Sequence, residues 1–83
     1  MSRNKSGSHK FVIRIHLKVK EIAESKDRSM VWLANHSEVQ YDTIRGIFNN
    51  PGREVSILTL AKIAHALGCK IDELYTVQIV EEE

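Results

Sequence analysis

The chain has 83 residues, of which 42% are hydrophobic and 28% charged, and its formal net charge is +1. This length fits one domain, and this composition is typical of a folded globular protein rather than a disordered one. The single cysteine excludes a disulfide framework and no apolar run is long enough to cross a bilayer, so we expect a cytoplasmic protein without membrane contact.

The charges are unevenly distributed along the chain. Residues 1–28 carry eight basic and three acidic side chains, and residues 29–69 carry three of each. Residues 70–83 carry one basic and five acidic side chains. This asymmetry is typical of a basic arm with an acidic tail, although a solvated surface would also produce it. We therefore expect a flexible basic arm at 1–9, one domain at 10–80 and an acidic tail at 81–83.

Two β-prone segments lie near opposite ends of the chain. The segment FVIRIHL, residues 11–17, alternates between two sets of side chains, which predicts a short strand. The segment TVQIV, residues 76–80, is rich in β-branched side chains. Two isolated strands need partners, and the simplest partner for each is the other. We predict a small two-stranded sheet that ties the termini together, either within one chain or between two chains.

Between these segments the apolar residues recur at helical spacing, which predicts five short helices. The first covers about residues 17–26, and Ser29 is a good N-cap for the second. The third extends from about Gln40 to Asn49. It ends in the turn Asn49-Asn50-Pro51-Gly52, in which every residue favours a turn.

The fourth helix has a wide apolar face. Ser56 is placed as its N-cap, and Gly68 is placed as its left-handed C-cap. A last helical turn, at about 71–75, completes the set. Five short helices with short connections are therefore the predicted body of the domain.

Residues 29–50, SMVWLANHSEVQYDTIRGIFNN, contain two of these helices separated by a short turn. Two helices that cross steeply after such a turn touch at a few fixed positions. With the touching side chains inward, the second helix presents a polar outer face of a size that fits the major groove of DNA. Small or apolar residues have the spacing that the contact requires: Leu33, Ala34, Val39, Ile44 and Ile47.

The segments LANHSEVQYDTIRGIFNN and VSILTLAKIAHALGCKIDELY resemble the lambda-repressor-like and Cro-like helix-turn-helix family, also called the Xre type. The resemblance covers roughly residues 17–75, and the second segment is its more specific half. It implies an all-α, five-helix lambda-repressor-like DNA-binding domain, with the terminal sheet as a possible addition. The matching positions in the second segment are Ser56, Leu60, Ile63, Ala64, Leu67, Gly68, Asp72, Glu73 and Leu74.

The resemblance also implies which residues contact DNA. Tyr41, Asp42 and Arg45 occupy positions that face base edges in the family, and Gln40 and Asn49 occupy positions that commonly touch phosphate. Arg45 suits guanine, while Asp42 suits cytosine or an ion pair with Arg45. Basic side chains near the N-terminus are expected to follow the backbone or enter a minor groove. The full candidate set is Gln40, Tyr41, Asp42, Thr43, Arg45, Asn49, Arg3, Lys5 and Lys10.

Other chemistry has little support in the sequence. His65 and Cys69 are four residues apart, but zinc needs three or four ligands, so we predict no metal site and a core position for the thiol. The sequence has no recognisable nucleophile–base pair, acid pair or phosphate loop, so we predict neither an enzyme nor a cofactor. Trp32 and Leu58 replace residues that are usually polar in the family. We expect Trp32 to cover the terminal sheet and Leu58 to lie in a dimer interface.

The sequence favours a sequence-specific transcriptional regulator, a repressor that binds a double-stranded DNA operator as a homodimer. The alternative is a protein-interaction module, antitoxin-like or an anti-repressor, on a retained helix-turn-helix fold. Met30 motivates this alternative because the family often has a DNA-contacting glutamine there, and Glu38 because the turn usually has glycine. Asp42 and the near-neutral charge point the same way.

Overall fold

The computed structural model describes residues 10–82, so the predicted arm at 1–9 lies outside the described residues, as does Glu83. The chain begins with a strand, continues through four α-helices and one 3-10 turn, and ends with a second strand. In chain order these are β1 (Lys10–Leu17), α1 (Val19–Ser25), α2 (Met30–Ser37), α3 (Tyr41–Asn49), α4 (Ile57–Leu67), the 3-10 turn (Ile71–Leu74) and β2 (Tyr75–Glu82).

The helices of residues 10–82 pack around one apolar core, and none of them is long and apolar enough to span a membrane. Leu17 at the end of β1 and Leu74 in the 3-10 turn complete this core, so a buried leucine lies where each strand joins the helical body. The buried apolar side chains are Leu17, Val19, Ala23, Leu33, Ile44, Ile47, Leu60, Ile63, Ala64, Leu67 and Leu74.

The predicted helix caps are confirmed. The Ser29 hydroxyl accepts a hydrogen bond from the Trp32 amide at 3.0 Å, and the Ser56 hydroxyl accepts one from the Thr59 amide at 3.0 Å. Gly68 ends α4 in the left-handed conformation, with φ of 71°. These caps satisfy backbone groups that would otherwise lack partners at the helix ends.

The prediction of a fifth helix is wrong, because residues 71–74 form a single 3-10 turn. The amide of Glu73 donates to the Lys70 carbonyl at 3.0 Å, a three-residue bond of the 3-10 type. An α-helix could not extend here, since Tyr75 already has the extended backbone of β2. The described fold is otherwise mostly helical, as predicted, with four α-helices and the small two-stranded antiparallel sheet that the sequence allowed.

The predicted pairing of the two terminal strands is confirmed, and it occurs within the chain. β1 and β2 pair antiparallel over their full length, from Lys10 opposite Glu82 to Leu17 opposite Tyr75. We call this two-stranded sheet the terminal ribbon. Its second strand includes Glu81 and Glu82, the first two residues of the predicted acidic tail.

The terminal ribbon is attached to the helical body at one end only. The Leu17 amide donates to the Pro51 carbonyl and the Lys18 amide donates to the Leu74 carbonyl, both at 2.7 Å. From there β1 extends roughly 24 Å, given about 3.3 Å per residue, and all of its residues before Leu17 are exposed. The molecule measures 49 × 22 × 20 Å, and a ribbon that projects from the body accounts for the long dimension.

Trp32 packs on α2 rather than over the terminal ribbon, contrary to the expectation. Its ring lies 4.1 Å from the Arg28 guanidinium carbon and is stacked on His36, with ring centroids 4.0 Å apart. The His36 ring nitrogen Nδ1 is 2.9 Å from the Trp32 carbonyl, to which it can donate. These contacts fix the tryptophan on its own helix, and the large apolar residues of the terminal ribbon remain exposed.

Candidate nucleic-acid interface

The α2–α3 pair is held together by the side chains that the sequence predicted to face inward. Leu33, Ile44 and Ile47 are almost completely buried, and Ala34 and Val39 pack against the same core. Because Ile44 and Ile47 point into the body, the opposite side of α3 must face solvent. The core therefore determines which side chains of α3 are available to a ligand.

The turn between the two helices depends on a left-handed residue. Glu38 has φ of 61° and ψ of 30°, in a position where glycine would be unstrained. Ser37 before it is buried, and its hydroxyl accepts a hydrogen bond from the Val39 amide at 3.3 Å. The turn thus keeps the geometry that the motif needs, at a conformational cost of roughly 1 kcal/mol at Glu38.

The outer face of α3 carries a polar stripe formed by Asp42, Arg45 and Asn49. These residues are three and four positions apart, which places them on one side of a helix, and all three are exposed. Arg45 Nη2 lies 3.7 Å from Asp42 Oδ1, and the two side chains are 58% and 85% exposed. Such an open ion pair contributes little stability, so it can exchange for a contact with a ligand at low cost.

The other predicted contacts on this helix lie at its start and on its flank. Gln40 is the exposed N-cap of α3, with an extended backbone, and its side chain makes no capping hydrogen bond. Tyr41 is 40% exposed at the first helical position. Thr43 is half-buried, so it offers less surface to a ligand than the polar stripe does.

The predicted basic contacts near the N-terminus do not join this set in the described structure. Lys10 begins β1 and therefore lies at the end of the terminal ribbon that is remote from the helical body. Arg3 and Lys5 lie outside the described residues.

Sequence reasoning missed Arg53, which the structure places against α3. Its guanidinium lies over Gly46, so close that a Cβ atom at this glycine would collide with Arg53 Nη1 and approach its Cζ to 3.3 Å. The loop after α3 brings it there: the Asn50 amide donates to the Gly46 carbonyl at 2.9 Å, and the Arg53 amide donates to the Asn50 carbonyl at 3.1 Å. Arg53 is half-buried and has no ion-pair partner among residues 10–82.

Two arginines therefore lie at this surface of α3: Arg45 within the polar stripe, and Arg53 from the loop that follows the helix. Arg45 forms an ion pair with Asp42, whereas the Arg53 guanidinium has no carboxylate partner within the described residues. The combined charge of these three side chains is positive, as binding to a polyanion requires. The only sequence signal for Arg53 was its positive charge shortly after a helix that contains a glycine.

The thiol of Cys69 belongs to the core and not to a functional site. Cys69 is half-buried against the apolar core, and burial raises the pKa of its thiol, which makes it less reactive. Within residues 10–82, no group of three or more histidine, cysteine or acidic side chains is arranged to hold a metal ion.

Comparison with known protein families gives a match over most of the chain. The model of the Cro/C1-type helix-turn-helix DNA-binding domain matches residues 18–78, which is most of the chain. The matched segment contains all four α-helices and enters β2. No curated protein matches the chain at a significant level. From the family match and the α2–α3 geometry, the chain belongs to the Cro/C1-type helix-turn-helix DNA-binding domain family.

Proposed function

We propose that this protein is a small cytoplasmic transcriptional regulator, a repressor, that reads a specific double-stranded DNA sequence with α3. The observation that carries the proposal is the exposed stripe of Asp42, Arg45 and Asn49 on a helix whose other side is locked into the core. A helix with its side chains is roughly 10–12 Å wide and the major groove is roughly 12 Å wide, so α3 can enter the groove with this stripe foremost.

The side chains of α3 would have two roles, contact with bases and contact with phosphates. Arg45 would donate two hydrogen bonds to a guanine, while Asp42 would accept from a cytosine amino group or orient Arg45. Tyr41 would contact a thymine methyl group or a phosphate. Gln40 and Asn49, at the two ends of α3, would bind phosphate and set the position of the helix.

Four cations outside α3 would add affinity that is independent of base sequence. Arg53 would contact a phosphate beside the groove, because its guanidinium already lies against α3. Arg3, Lys5 and Lys10 would follow the backbone or enter a minor groove. We also propose that the protein binds as a homodimer to two half-sites about one helical turn apart, roughly 34 Å.

The test is selection of bound duplexes from a random library, followed by a titration of the selected duplex. Replacing Arg45 with alanine is expected to relax the preference at one base pair, by roughly 5- to 150-fold in relative affinity. The Arg53→Ala variant is expected to weaken all duplexes alike and to reduce the salt dependence by about one phosphate contact. Lys62→Ala removes an exposed cation from α4 and serves as the control, with binding unchanged.

Failure to enrich any sequence, together with no duplex binding at low salt, would reject the proposal. Enrichment that is identical for the wild type and Arg45→Ala would instead reject the role of α3 in reading bases. Tight, salt-insensitive binding to a protein in place of DNA would favour the interaction module that Met30 and Glu38 suggested.

A further inference from the structure

The terminal ribbon has one apolar face and one largely polar face. Opposed residues of an antiparallel pair share a face, and successive residues alternate between faces. The register places Ile13 opposite Ile79 and Ile15 opposite Val77. Together with Phe11 these side chains form what we call the apolar ribbon face. The other face carries Lys10, Val12, Arg14, His16, Thr76, Gln78 and Val80.

The apolar ribbon face is exposed in the single chain. Its members keep between 40% and 60% of their surface accessible: Phe11 57%, Ile13 52%, Ile15 40%, Val77 51% and Ile79 60%. The exposed surface continues onto the helical body along an open groove, whose lining includes the apolar residues Ile13, Ile15, Val55 and Ile57 and, at its edges, Arg14, Arg53 and Glu54. Ile57, at the start of α4, is itself 67% exposed.

This exposure has a physical consequence for the ribbon. A two-stranded sheet alone is only marginally stable in water, and it normally needs further strands or a packed layer over its apolar face. In residues 10–82 hydrogen bonds join the ribbon to the body at its inner end, where the backbone of Leu17 and Lys18 and the side chain of His16 are bonded to the body. A contiguous apolar surface of this kind marks an interface.

We propose that a second copy of this chain covers the apolar ribbon face, so that two ribbons pack face to face. The charges of the face support a copy of itself as the occupant. Glu81, opposite Phe11 at the outer end, is the only charged residue paired with a member of this face, and the cations Lys10 and Arg14 lie on the other face. Two such faces can meet without burying like charges, whereas a nucleic acid or an anionic membrane would need cations there.

The available area agrees with a dimer of modest affinity. The five exposed fractions amount to about two and a half fully exposed side chains, or roughly 400 Å² at about 150 Å² for a large side chain. A standard interface covers about 800 Å² per partner, and weak complexes cover less. With the exposed part of Ile57 added, the face stays below the standard size and within the range of weak complexes. We therefore expect reversible, concentration-dependent association.

A two-fold axis through the Ile13–Ile79 pair would place Phe11 of one ribbon over Ile15 and Val77 of the second copy. Each chain would then contribute the same residues, as an isologous interface requires. The inference deepens the homodimer of the proposed function by naming its surface. The ribbon dimer rests on the proposed function only for its biological role, because association of the two chains is measured in the absence of DNA.

The test is sedimentation velocity of the full chain at about 1 µM and about 300 µM, where a weak dimer is mostly dissociated and mostly formed, respectively. The Ile13→Thr/Ile79→Thr variant keeps β-branched residues and thus strand propensity, but it introduces two hydroxyl groups on the apolar ribbon face. We expect it to weaken association at least about tenfold. Val12→Thr/Val80→Thr likewise introduces two hydroxyl groups, in a cross-strand pair of the opposite face, and we expect it to dimerise like the wild type.

Methyl NMR spectra over the same concentrations locate the contact without any substitution. Shifts are expected for Ile13, Ile15 and Ile79, but not for Val12. A wild-type chain that stays monomeric at about 300 µM, or a control pair that weakens association as much as the test pair, would overturn the proposal. Either outcome is independent of DNA binding, and loss of DNA binding with an intact dimer would reject only the proposed function.

Discussion

Two of the three described residues with left-handed backbones, Glu38 and Gly68, show how local conformation limits the stability of this domain. Both have positive φ, 61° and 71°, but only Gly68 lacks the Cβ atom that makes this conformation costly. The Glu38 side chain makes no hydrogen bond or ion pair within residues 10–82 that would offset the cost. The cost at Glu38 therefore lowers the stability of the turn on which α3 depends.

Replacing Glu38 with glycine is expected to stabilise the domain by about 0.5–1 kcal/mol, because relief of the strained backbone outweighs the added freedom of the unfolded chain. Thermal unfolding is the measurement, and for a domain of this size the midpoint should rise by roughly 2–8 °C. Gly68→Ala is the matched control, and it is expected to lower the unfolding midpoint. No atom lies within 4 Å of a Cβ atom at Gly68, so its loss of stability reports the backbone alone. A midpoint unchanged or lowered by Glu38→Gly would contradict this explanation.

The hydrogen bond between His16 and Glu21 makes stability depend on pH. His16 Nε2 and Glu21 Oε2 are 3.1 Å apart and link β1 to α1. This hydrogen bond is the main cause that holds the pKa of the Glu21 carboxyl below its ordinary value. Because the folded chain favours the ionised form, the contribution is present above the ordinary pKa of a glutamate and is lost as the pH falls through the lowered pKa.

Glu21→Gln should therefore destabilise the domain at about pH 6 by less than about 1 kcal/mol, since both side chains are more than half exposed. At about pH 3 or below, the difference from the wild type should shrink towards zero. Urea unfolding at the two pH values measures it. The same substitution in a His16→Ala background is the control, and it should have a smaller effect at either pH. An equal loss in both backgrounds would assign the effect to another partner.

At the scale of the helices and strands, the sequence predicted best the features that depend on neighbouring residues, such as helix caps and helical spacing. Ser29 and Ser56 were placed as N-caps from their type and position alone, and the inward positions of α3 followed from helical spacing. The 3-10 turn was missed because its length is set by where β2 begins. Arg53 was missed because its position depends on the path of a loop in space and on the missing side chain of Gly46.

The contact between α3 and its following loop predicts opposite effects of one substitution on stability and on binding. Gly46→Ala should raise stability by up to about 1 kcal/mol, because alanine favours the helix. Its Cβ atom would displace the Arg53 guanidinium, which is the mobile end of a flexible side chain. Affinity for the selected duplex should then fall about as far as it does in Arg53→Ala.

A double-mutant cycle on duplex affinity tests this coupling. If Gly46 acts by positioning Arg53, adding Gly46→Ala to Arg53→Ala causes no further loss. Additive losses would mean that the new methyl group itself obstructs the duplex. Wild-type affinity of Gly46→Ala would mean that Arg53 contributes from another position.

At the scale of the whole molecule, the two ends of the chain meet in a ribbon that is joined to the body at Leu17. This residue is 2% exposed and belongs to the common core, whereas Ile13 on the same strand and the same face is 52% exposed. The single chain therefore has two zones, a well-packed helical body and a ribbon whose apolar face contributes little until a partner covers it.

This division predicts unequal costs for two similar truncations on β1. In dilute protein, Leu17→Ala should lower the free energy of unfolding by about 2–5 kcal/mol, because it leaves a cavity in the core. Ile13→Ala should cost less than about 1.5 kcal/mol, since half of its side chain is already in water. Urea unfolding of both variants at about 1 µM gives the two values, and repeating it at about 300 µM should increase the cost of Ile13→Ala alone, because association stabilises the wild type. Equal losses of stability in dilute protein would mean that the ribbon and the body unfold as one unit. If the loss caused by Ile13→Ala were the same at both concentrations, the ribbon would not be part of a dimer interface.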